Sequence, residues 1–166
     1  MKVVSFKDIE PEKFVNLPDS KFKRVLILDM DETLIHCVDD IEKENPDVIL
    51  EIDFPGEETA CAGINLRPYL MECLREAAQL MQVIVFTASH QTYADAILDY
   101  IDPDGSLFSY RMYRQHCVKS PEGYYVKDLR VIQNRDLSDM VLVDNSVYSF
   151  AYQVDNGVPI ISFFND

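Results

Sequence analysis

Two carboxylates follow a short apolar run near the start of the chain. Residues 25–28 are all branched and apolar, which is typical of a strand buried on both faces, and Asp29 and Asp31 come directly after them. Burying an unpaired carboxylate is costly, so such a strand has no structural use for acids at its end. In open parallel sheets, ligands bind just beyond the carboxyl ends of the strands. The pair therefore indicates chemistry at the end of this strand.

Two later apolar runs also end in polar side chains. Thr87 and Ser89 follow the second run, and Asp144 and Asn145 follow the third. If all three strands are parallel, their ends lie at one edge of the sheet. A lone pair of acids is a weak signal, whereas three strand ends with complementary chemistry together predict a site.

The oxygen-bearing side chains at these ends suit a hard cation, and Mg²⁺ with retained waters is the natural choice. Clustered carboxylates also repel one another unless a cation or a proton intervenes. The predicted metal ligands are Asp29, Asp31, Asp144 and Asn145. A calcium loop is a poor alternative, because Leu34 occupies the sixth position, where that loop requires glycine. An acidic strand end capped by solvent is the structural alternative for each motif taken separately.

The elements that would position these residues alternate between strand and helix. Good helix formers with apolar residues at helical spacing predict helices over residues 69–81 and 91–100. Two strands around Pro55-Gly56, over residues 48–54 and 61–66, predict a small β insertion rather than a large cap domain. The other predicted strands are 25–28, 83–86, 140–143 and 158–163, with 110–118 extended. This alternation predicts an α/β fold with a central parallel sheet flanked by helices.

Composition narrows the class of protein. A chain of 166 residues is expected to form one domain with a real core. The net charge of −14 argues against direct nucleic-acid binding, which needs a basic surface. No apolar run reaches the roughly 20 residues of a membrane helix, and the N-terminus lacks the apolar core of a signal peptide. A nuclear or cytoplasmic protein with no membrane partner is expected, with its four separated cysteines free.

The order of the motifs resembles that of the haloacid-dehalogenase (HAD) superfamily. More narrowly, the chain is similar to the phosphatases that act on the C-terminal domain of RNA polymerase II, the NLI-interacting-factor-like group. The matching segments are Asp29-Met30-Asp31-Glu32-Thr33-Leu34, Phe86-Thr87-Ala88-Ser89, Lys127-Asp128-Leu129 and Val143-Asp144-Asn145-Ser146, together with Arg67-Pro68, Tyr93-Ala94-Asp95 and Val158-Pro159. Pro11, Pro18 and the charged residues of 1–24 indicate an N-terminal arm that leads into the first strand. The resemblance implies a phosphatase domain with a HAD-like Rossmannoid core over residues 25–166.

The resemblance also implies a role for each motif residue. Asp29 would be the nucleophile that forms an aspartyl-phosphate, and Asp31 would be the general acid and then the general base. Thr87 would bind the phosphoryl oxygens, and Lys127 with Mg²⁺ would stabilise charge on the transferring group. Taken alone, Lys127 is more simply a surface lysine, and the Thr33 hydroxyl has a backbone bond in the turn as its alternative role.

The implied substrate is a phosphorylated protein or peptide, with phosphoserine or phosphothreonine before proline as one context. A site without a large cap suits a phosphorylated side chain better than a small metabolite that must be enclosed. The residues expected to contact substrate are Ala88, Tyr93 and Arg114. An apolar pocket beside the site is expected from Ile49, Ile52, Phe54, Ile64 and Tyr93, although ordinary packing explains each of them equally well.

Three departures from the family pattern bear on specificity. His90 follows Ser89 where an apolar pocket residue is usual, and Val147 follows Ser146 where proline is usual. The family generally continues into a further helix after the last strand, so a C-terminal helix is expected to be missing from this chain. Two other functions stay open: a non-catalytic peptide-binding domain of the same fold, and a phosphatase for a different phosphoester.

Overall fold

The core of the protein is a five-stranded parallel sheet in the order β10-β9-β1-β5-β6. The computed structural model describes residues 2–56 and 58–165. The strands are β1 (Val25–Leu28), β2 (Ile35–Cys37), β3 (Val48–Ile52), β4 (Ala60–Leu66), β5 (Gln82–Phe86), β6 (Tyr110–Met112), β7 (Val118–Lys119), β8 (Tyr125–Val126), β9 (Met140–Asp144) and β10 (Gly157–Pro159). The α-helices are α1 (Ile41–Glu44), α2 (Leu70–Leu80) and α3 (Gln91–Ile101), and single 3₁₀ turns lie at Phe6–Asp8, Pro11–Lys13, Arg114–His116, Leu129–Val131, Leu137–Asp139 and Val154–Asn156.

The parallel register brings the three polar strand ends to one edge of the sheet. Central strand β1 pairs with β5 and β9, and Leu28 at its end lies opposite Val85 and Val143. The amide of the next residue, Asp29, donates to the Val143 carbonyl at 3.0 Å. The predicted α/β architecture with a central parallel sheet is therefore confirmed, and Asp29 leaves the sheet beside Asp144.

Both faces of the sheet are covered. On one face, Leu28 and Val85 pack into a core that includes the buried sides of α2, α3 and the β insertion. On the other face, Ile27 and Ile84 pack against residues 129–132 and the segment that precedes β1. That preceding segment contributes Ile9, Val15 and Leu17, all buried, to this second core. The limits predicted at Met1 and Asp166 lie outside the described residues.

The β insertion is larger than the sequence predicts. Its two predicted strands are β3 and β4, which pair antiparallel, and a third strand, β2, pairs with the other side of β4. Strand β2 has only three residues, with His36 at its centre, which is too short for an alternating pattern to show. The single-turn helix α1 connects β2 to β3, and no large cap domain is present among the described residues.

Several predicted boundaries shift, and three of the differences have a local reason. Helix α2 begins at Leu70 rather than Tyr69, because Tyr69 has a left-handed backbone with φ 64°. The last strand ends at Pro159, after which the chain crosses to the turn between β1 and β2, where the Phe163 amide donates to the Glu32 carbonyl. The segment 110–118 is not continuously extended, since a 3₁₀ turn separates β6 from β7. Within the described residues, no helix is long and apolar enough to cross a membrane.

Strand β10 approaches the ring of Phe150 closely enough to require glycine. A Cβ on Gly157 would lie 2.2 Å from Phe150 Cδ2, although the backbone there, with φ −88°, accepts any residue. We expect Gly157→Ala to lower the free energy of unfolding by about 1–3 kcal/mol, because the buried ring must shift. Urea denaturation measures the change, and Val158→Ala, on a residue that is half exposed in the same strand, is the matched control. Equal effects of the two substitutions would contradict the steric explanation.

Candidate active site

The three strand ends meet at an open cavity of about 380 Å³. The β1 end contributes acids, the β5 end contributes a small residue and a hydroxyl, and the β9 end contributes an acid, an amide and hydroxyls. The lining residues are Asp29, Asp31, Glu32, Ala88, Ser89, Arg114, Tyr124, Tyr125, Lys127, Asp144, Asn145, Ser146, Tyr148 and Ser149. Most of the residues singled out at the strand ends are thus brought together.

A buried lysine lies between two buried carboxylates at the base of this cavity. The ammonium of Lys127 donates to Asp29 Oδ1 and, at 2.6 Å, to Asp144 Oδ2, and all three side chains are almost inaccessible to solvent. Burial alone would lower the pKa of Lys127, but the two carboxylates outweigh it and raise that pKa. Burial and the charge of Asp144 raise the pKa of Asp29 to about 6, against the opposing effect of Lys127. The group is a charged triad with one more negative than positive charge.

Thr33 holds the other oxygen of Asp29. Its hydroxyl donates to Asp29 Oδ2 at 3.0 Å and accepts from the backbone amide of Asn145 at 3.2 Å. The residue is buried and reaches this position because the Met30 carbonyl accepts from the amides of Thr33 and Leu34 in a tight turn. The hydroxyl thus contacts the Asp29 carboxylate and ties the β1 end to the β9 end, which is more than the turn-shaping role considered for it.

Asp31 lies two residues from Asp29 but bonds to a different set of groups. Its Oδ2 accepts from Ser89 Oγ at 2.7 Å and from Thr87 Oγ1 at 3.4 Å, and its Oδ1 accepts from Tyr93 Oη at 3.0 Å. Three hydroxyls therefore hold the Asp31 carboxylate, whereas Lys127 and Thr33 hold that of Asp29. The tight turn after Asp31, in which Glu32 takes a left-handed backbone with φ 55°, separates the surroundings of the two acids.

The donor set fits Mg²⁺ with one change from the predicted ligands. Asp29 and Asp144 have buried carboxylates that share the Lys127 ammonium, and Asn145 Oδ1 lies 3.4 Å from Thr33 Oγ1, which also bonds to Asp29. The side chain of Asp31 departs from this set, because its carboxylate faces Ser89 and Tyr93. Within residues 2–56 and 58–165, no three His, Cys, Asp or Glu side chains form a metal cluster. Two carboxylates and an amide oxygen suit Mg²⁺, which keeps most of its waters.

A short hairpin delivers Lys127 to the triad. Strands β7 and β8 pair through a turn in which Gly123 has φ 94°, and Lys127 follows β8 directly. The Lys127 amide donates to the Ser149 carbonyl at 2.8 Å. The next residue, Asp128, is fully buried and accepts from Arg130 and from Gln153 Nε2. These bonds hold the lysine backbone against the turn that follows β9.

The structure divides the predicted substrate-contacting residues. Ala88 and Arg114 line the cavity, and Arg114 Nε donates to the Ala88 carbonyl at 2.5 Å. Tyr93 contacts Asp31 instead of the cavity surface. Thr87 is fully buried, and its hydroxyl also accepts from the Ser89 amide at 3.0 Å. The hydroxyl of Thr87 therefore faces Asp31 and the turn, within hydrogen-bond reach of the site but behind its surface.

The apolar pocket predicted on the β insertion is wrong in two of its members. Ile52 on β3 and Ile64 on β4 are fully buried in the core beneath the insertion, where β3 packs against α3. Ile49 points the other way and is about half exposed. Ordinary packing, the alternative considered for these residues, accounts for Ile52 and Ile64.

Several cavity residues were missing from the predicted site. Ser89 has no predicted role at its strand end, and its bond to Asp31 supplies one. Ser146 and Tyr148 come from the turn after β9, and Tyr124 and Tyr125 come from the hairpin before Lys127. Their nearness in sequence to Asp144 and Lys127 is a signal from which their place in the cavity could have been predicted. Which tyrosine faces the cavity depends on tertiary structure.

Comparison with known proteins identifies the family of this chain. Residues 24–166 match the family described as NLI interacting factor-like phosphatase. The chain belongs to this family. It is 43% identical over 141 residues to CTD small phosphatase-like protein 2 of Dictyostelium discoideum, a match that covers 85% of this chain and 24% of the relative. It is 36% identical over 151 residues to CTD nuclear envelope phosphatase 1 of Xenopus tropicalis, covering 87% of this chain and 61% of the relative.

A solved structure shares the fold at lower identity. The structure of Fcp1, an essential RNA polymerase II CTD phosphatase, has a TM-score of 0.69 and 23% identity, and the match covers 85% of this chain and 42% of that one. This likeness confirms the predicted α/β fold. The chain spans less than two thirds of the length of the relatives it matches, from about a quarter to about three fifths.

The buried triad gives a direct test of the geometry. We expect Lys127→Met, in the presence of chelator, to lower the free energy of unfolding by about 3–5 kcal/mol at neutral pH, because Asp29 and Asp144 lose their shared cation. The loss should shrink toward about pH 5, since a protonated carboxyl needs no cationic partner. Chemical denaturation across pH measures both effects. The exposed Lys7→Met is the control, and a pH-independent loss equal to that of the control would contradict the triad.

Proposed function

We propose that the protein is a Mg²⁺-dependent phosphatase that removes phosphate from serine or threonine residues of protein substrates through an aspartyl-phosphate on Asp29. The observation that carries this proposal is the convergence of three strand ends on one open cavity. There, Asp29 and Asp31 are only two residues apart in sequence, yet their carboxylates bond to different side chains. Membership in a phosphatase family and relatives named as CTD phosphatases support the same activity.

In the first step, a carboxylate oxygen of Asp29 attacks phosphorus while the bond from phosphorus to the serine or threonine oxygen breaks. Each Asp29 oxygen accepts one hydrogen bond, from Lys127 or from Thr33, and keeps a lone pair for attack. Asp31, in its protonated form, gives its proton to the leaving oxygen, which departs as the free hydroxyl. Lys127 stabilises the negative charge on the transferring group.

In the second step, Asp31 acts as the base. Its carboxylate takes a proton from water, the water oxygen attacks phosphorus, and the bond to Asp29 breaks to release inorganic phosphate. The three hydroxyls around Asp31 hold its carboxylate in place for this step. The proton taken from water then returns Asp31 to its starting state, so the cycle closes.

The metal would be held by Asp29, Asp144 and Asn145. When bound, Mg²⁺ supplies a positive charge that neutralises phosphoryl oxygens and offsets the excess negative charge of the triad. Arg114 adds a fixed positive charge at the cavity wall, where its guanidinium bonds to the Ala88 carbonyl. An open cavity suits a phosphorylated protein segment, and the relative named as a nuclear envelope phosphatase favours a nuclear-associated substrate.

The nucleophile is tested by removing its charge. We expect Asp29→Asn to reduce the hydrolysis of p-nitrophenyl phosphate by at least about a thousandfold, because an amide cannot form the acyl phosphate. Wild-type turnover should require Mg²⁺ and stop in chelator. Circular dichroism checks the fold, and Asp19→Asn, at an exposed acid outside the cavity, is the control. Normal turnover by Asp29→Asn would overturn the assignment. A well-folded wild type without any turnover would favour the non-catalytic peptide-binding alternative.

The separate role of Asp31 predicts a trapped intermediate. With p-nitrophenyl phosphate, whose leaving group needs little proton donation, Asp31→Asn should still be phosphorylated but should hydrolyse the phosphoenzyme about 10²–10⁴-fold more slowly. Acid quenching and intact-mass measurement should therefore show one phosphoryl group on the protein. The double variant Asp29→Asn/Asp31→Asn should show none. A slow Asp31→Asn enzyme without this adduct would mean that Asp31 does not serve the second step.

A further inference from the structure

A stacked pair of tyrosines forms one wall of the active-site cavity. The rings of Tyr124 and Tyr148 lie 4.7 Å apart between centroids and are nearly parallel, at 8°. Both residues line the same cavity as Asp29 and Lys127, and they are 45% and 51% exposed. About half of this aromatic surface is therefore available to a substrate that enters the cavity.

The backbone on both sides of the pair is held in place. Tyr124 belongs to the hairpin turn, where the Ser120 amide donates to its carbonyl at 2.8 Å. Tyr148 belongs to the turn after β9, where the Ser149 amide donates to the Ser146 carbonyl at 3.0 Å. The Lys127 amide donates to the Ser149 carbonyl and so joins these two segments independently of the rings. A fixed aromatic surface of this kind contributes contact area at a low cost in conformational entropy.

A neighbouring ring shows which chemistry this wall attracts. The Arg114 guanidinium lies 5.2 Å from the centre of the Tyr125 ring, and Lys119 Nζ lies 5.9 Å from the same centre. Aromatic faces attract cations through their negative quadrupole. Tyr125 thus has cations from its own chain, whereas no cation of the described residues lies over Tyr124 or Tyr148.

Charge also favours a basic group at this wall. The cavity is lined by four acids, Asp29, Asp31, Glu32 and Asp144, against two bases, Lys127 and Arg114. Both bases are engaged, Lys127 with two carboxylates and Arg114 with the Ala88 carbonyl and the Tyr125 ring. The whole chain carries a net charge of −14, which attracts basic segments over a longer range.

We propose that the Tyr124–Tyr148 pair is a specificity subsite that receives an arginine or lysine side chain flanking the phosphorylated residue of the substrate. The inference rests on the proposed phosphopeptide substrate and narrows it to phosphorylated segments with a neighbouring basic residue. An extended peptide advances about 3.3–3.6 Å per residue, so a basic residue within about three positions of the phosphoserine reaches the rim of the cavity. The guanidinium or ammonium lies against the open face of the stacked rings.

The experiment measures binding separately from catalysis. Fluorescent phosphoserine peptides that carry arginine, leucine, proline or glutamate at one flanking position are titrated with the wild-type protein in chelator. At the best position, we expect the arginine peptide to bind about 3- to 10-fold more tightly than the leucine peptide. This ratio should persist at about 0.3 M salt, at which attraction by the diffuse negative charge is largely screened.

Variants assign the preference to the rings. Tyr124→Leu and Tyr148→Leu should each bring the ratio of arginine to leucine affinity to within about twofold, whereas Tyr148→Phe keeps the ring and should keep the preference. Tyr100→Leu, at a similarly exposed tyrosine outside this cavity, should leave the ratio unchanged. Both affinities in the ratio are measured with the same protein sample, so a smaller fraction of folded protein affects them equally and does not change the ratio.

The outcomes separate this inference from the proposed function. Equal binding of all peptides, a preference for proline or leucine, or an arginine preference that survives both leucine variants would overturn the subsite. Phosphate release from the same peptides in Mg²⁺ is measured in parallel. Release without an arginine preference keeps the phosphatase and removes the subsite. A ring-dependent arginine preference without release keeps the subsite and removes the phosphatase.

Discussion

The buried ammonium of Lys127 connects the parts of the site that come from distant regions of the chain. It bonds to Asp29 at the end of the central strand and to Asp144 at the end of the neighbouring strand, while its own backbone belongs to the segment after the β7–β8 hairpin. A lysine with almost no solvent contact is tolerated where carboxylates replace its water shell. The two buried carboxylates in turn need the lysine's positive charge. The end of β1, the end of β9 and the segment after β8 therefore bury their charged side chains only together.

This constraint also explains why Asp29 and Asp31 differ. Asp29 ends a strand whose neighbours on the sheet are fixed by backbone pairing, so its carboxylate lies beside that of Asp144. Asp31 falls two residues later, where the chain has left the sheet and meets the hydroxyls that follow β5 and that of Tyr93 on α3. One acid is desolvated against a lysine, and the other is surrounded by neutral donors. Different surroundings for two nearby acids are what the proposed roles of nucleophile and proton carrier require.

The rim of the cavity has a different physical character from its base. The base is charged, buried and fixed by ion pairs, whereas the rim is aromatic and half exposed, with Tyr124 stacked on Tyr148 and Arg114 over Tyr125. Under the proposed function, the base would bind the phosphoryl group whatever carries it, so selectivity among phosphorylated segments would depend on the rim. The β insertion contributes less to this than expected, because Ile52 and Ile64 face the core.

Much of this protein could be predicted from its sequence. The strand ends at Asp29, Thr87 and Asp144 were visible because buried parallel strands are continuous apolar runs, and a polar residue at their end has no place in the core. Strand β2 could not be predicted, because three residues are too few to show an alternating pattern. The start of helix α2 at Leu70 could not be predicted either, because it depends on the left-handed backbone of Tyr69, which composition does not reveal.

The sequence by itself determined the parallel α/β core, the family and the set of residues at the strand ends. Only the tertiary structure decided which of those residues touch: that Lys127 joins Asp29 to Asp144, that Asp31 faces Ser89 and Tyr93, and that two tyrosines 24 positions apart stack. The reason is that strand periodicity is a local property of the chain. Side-chain contact at the ends depends on register, turn geometry and burial, which involve residues far apart in sequence.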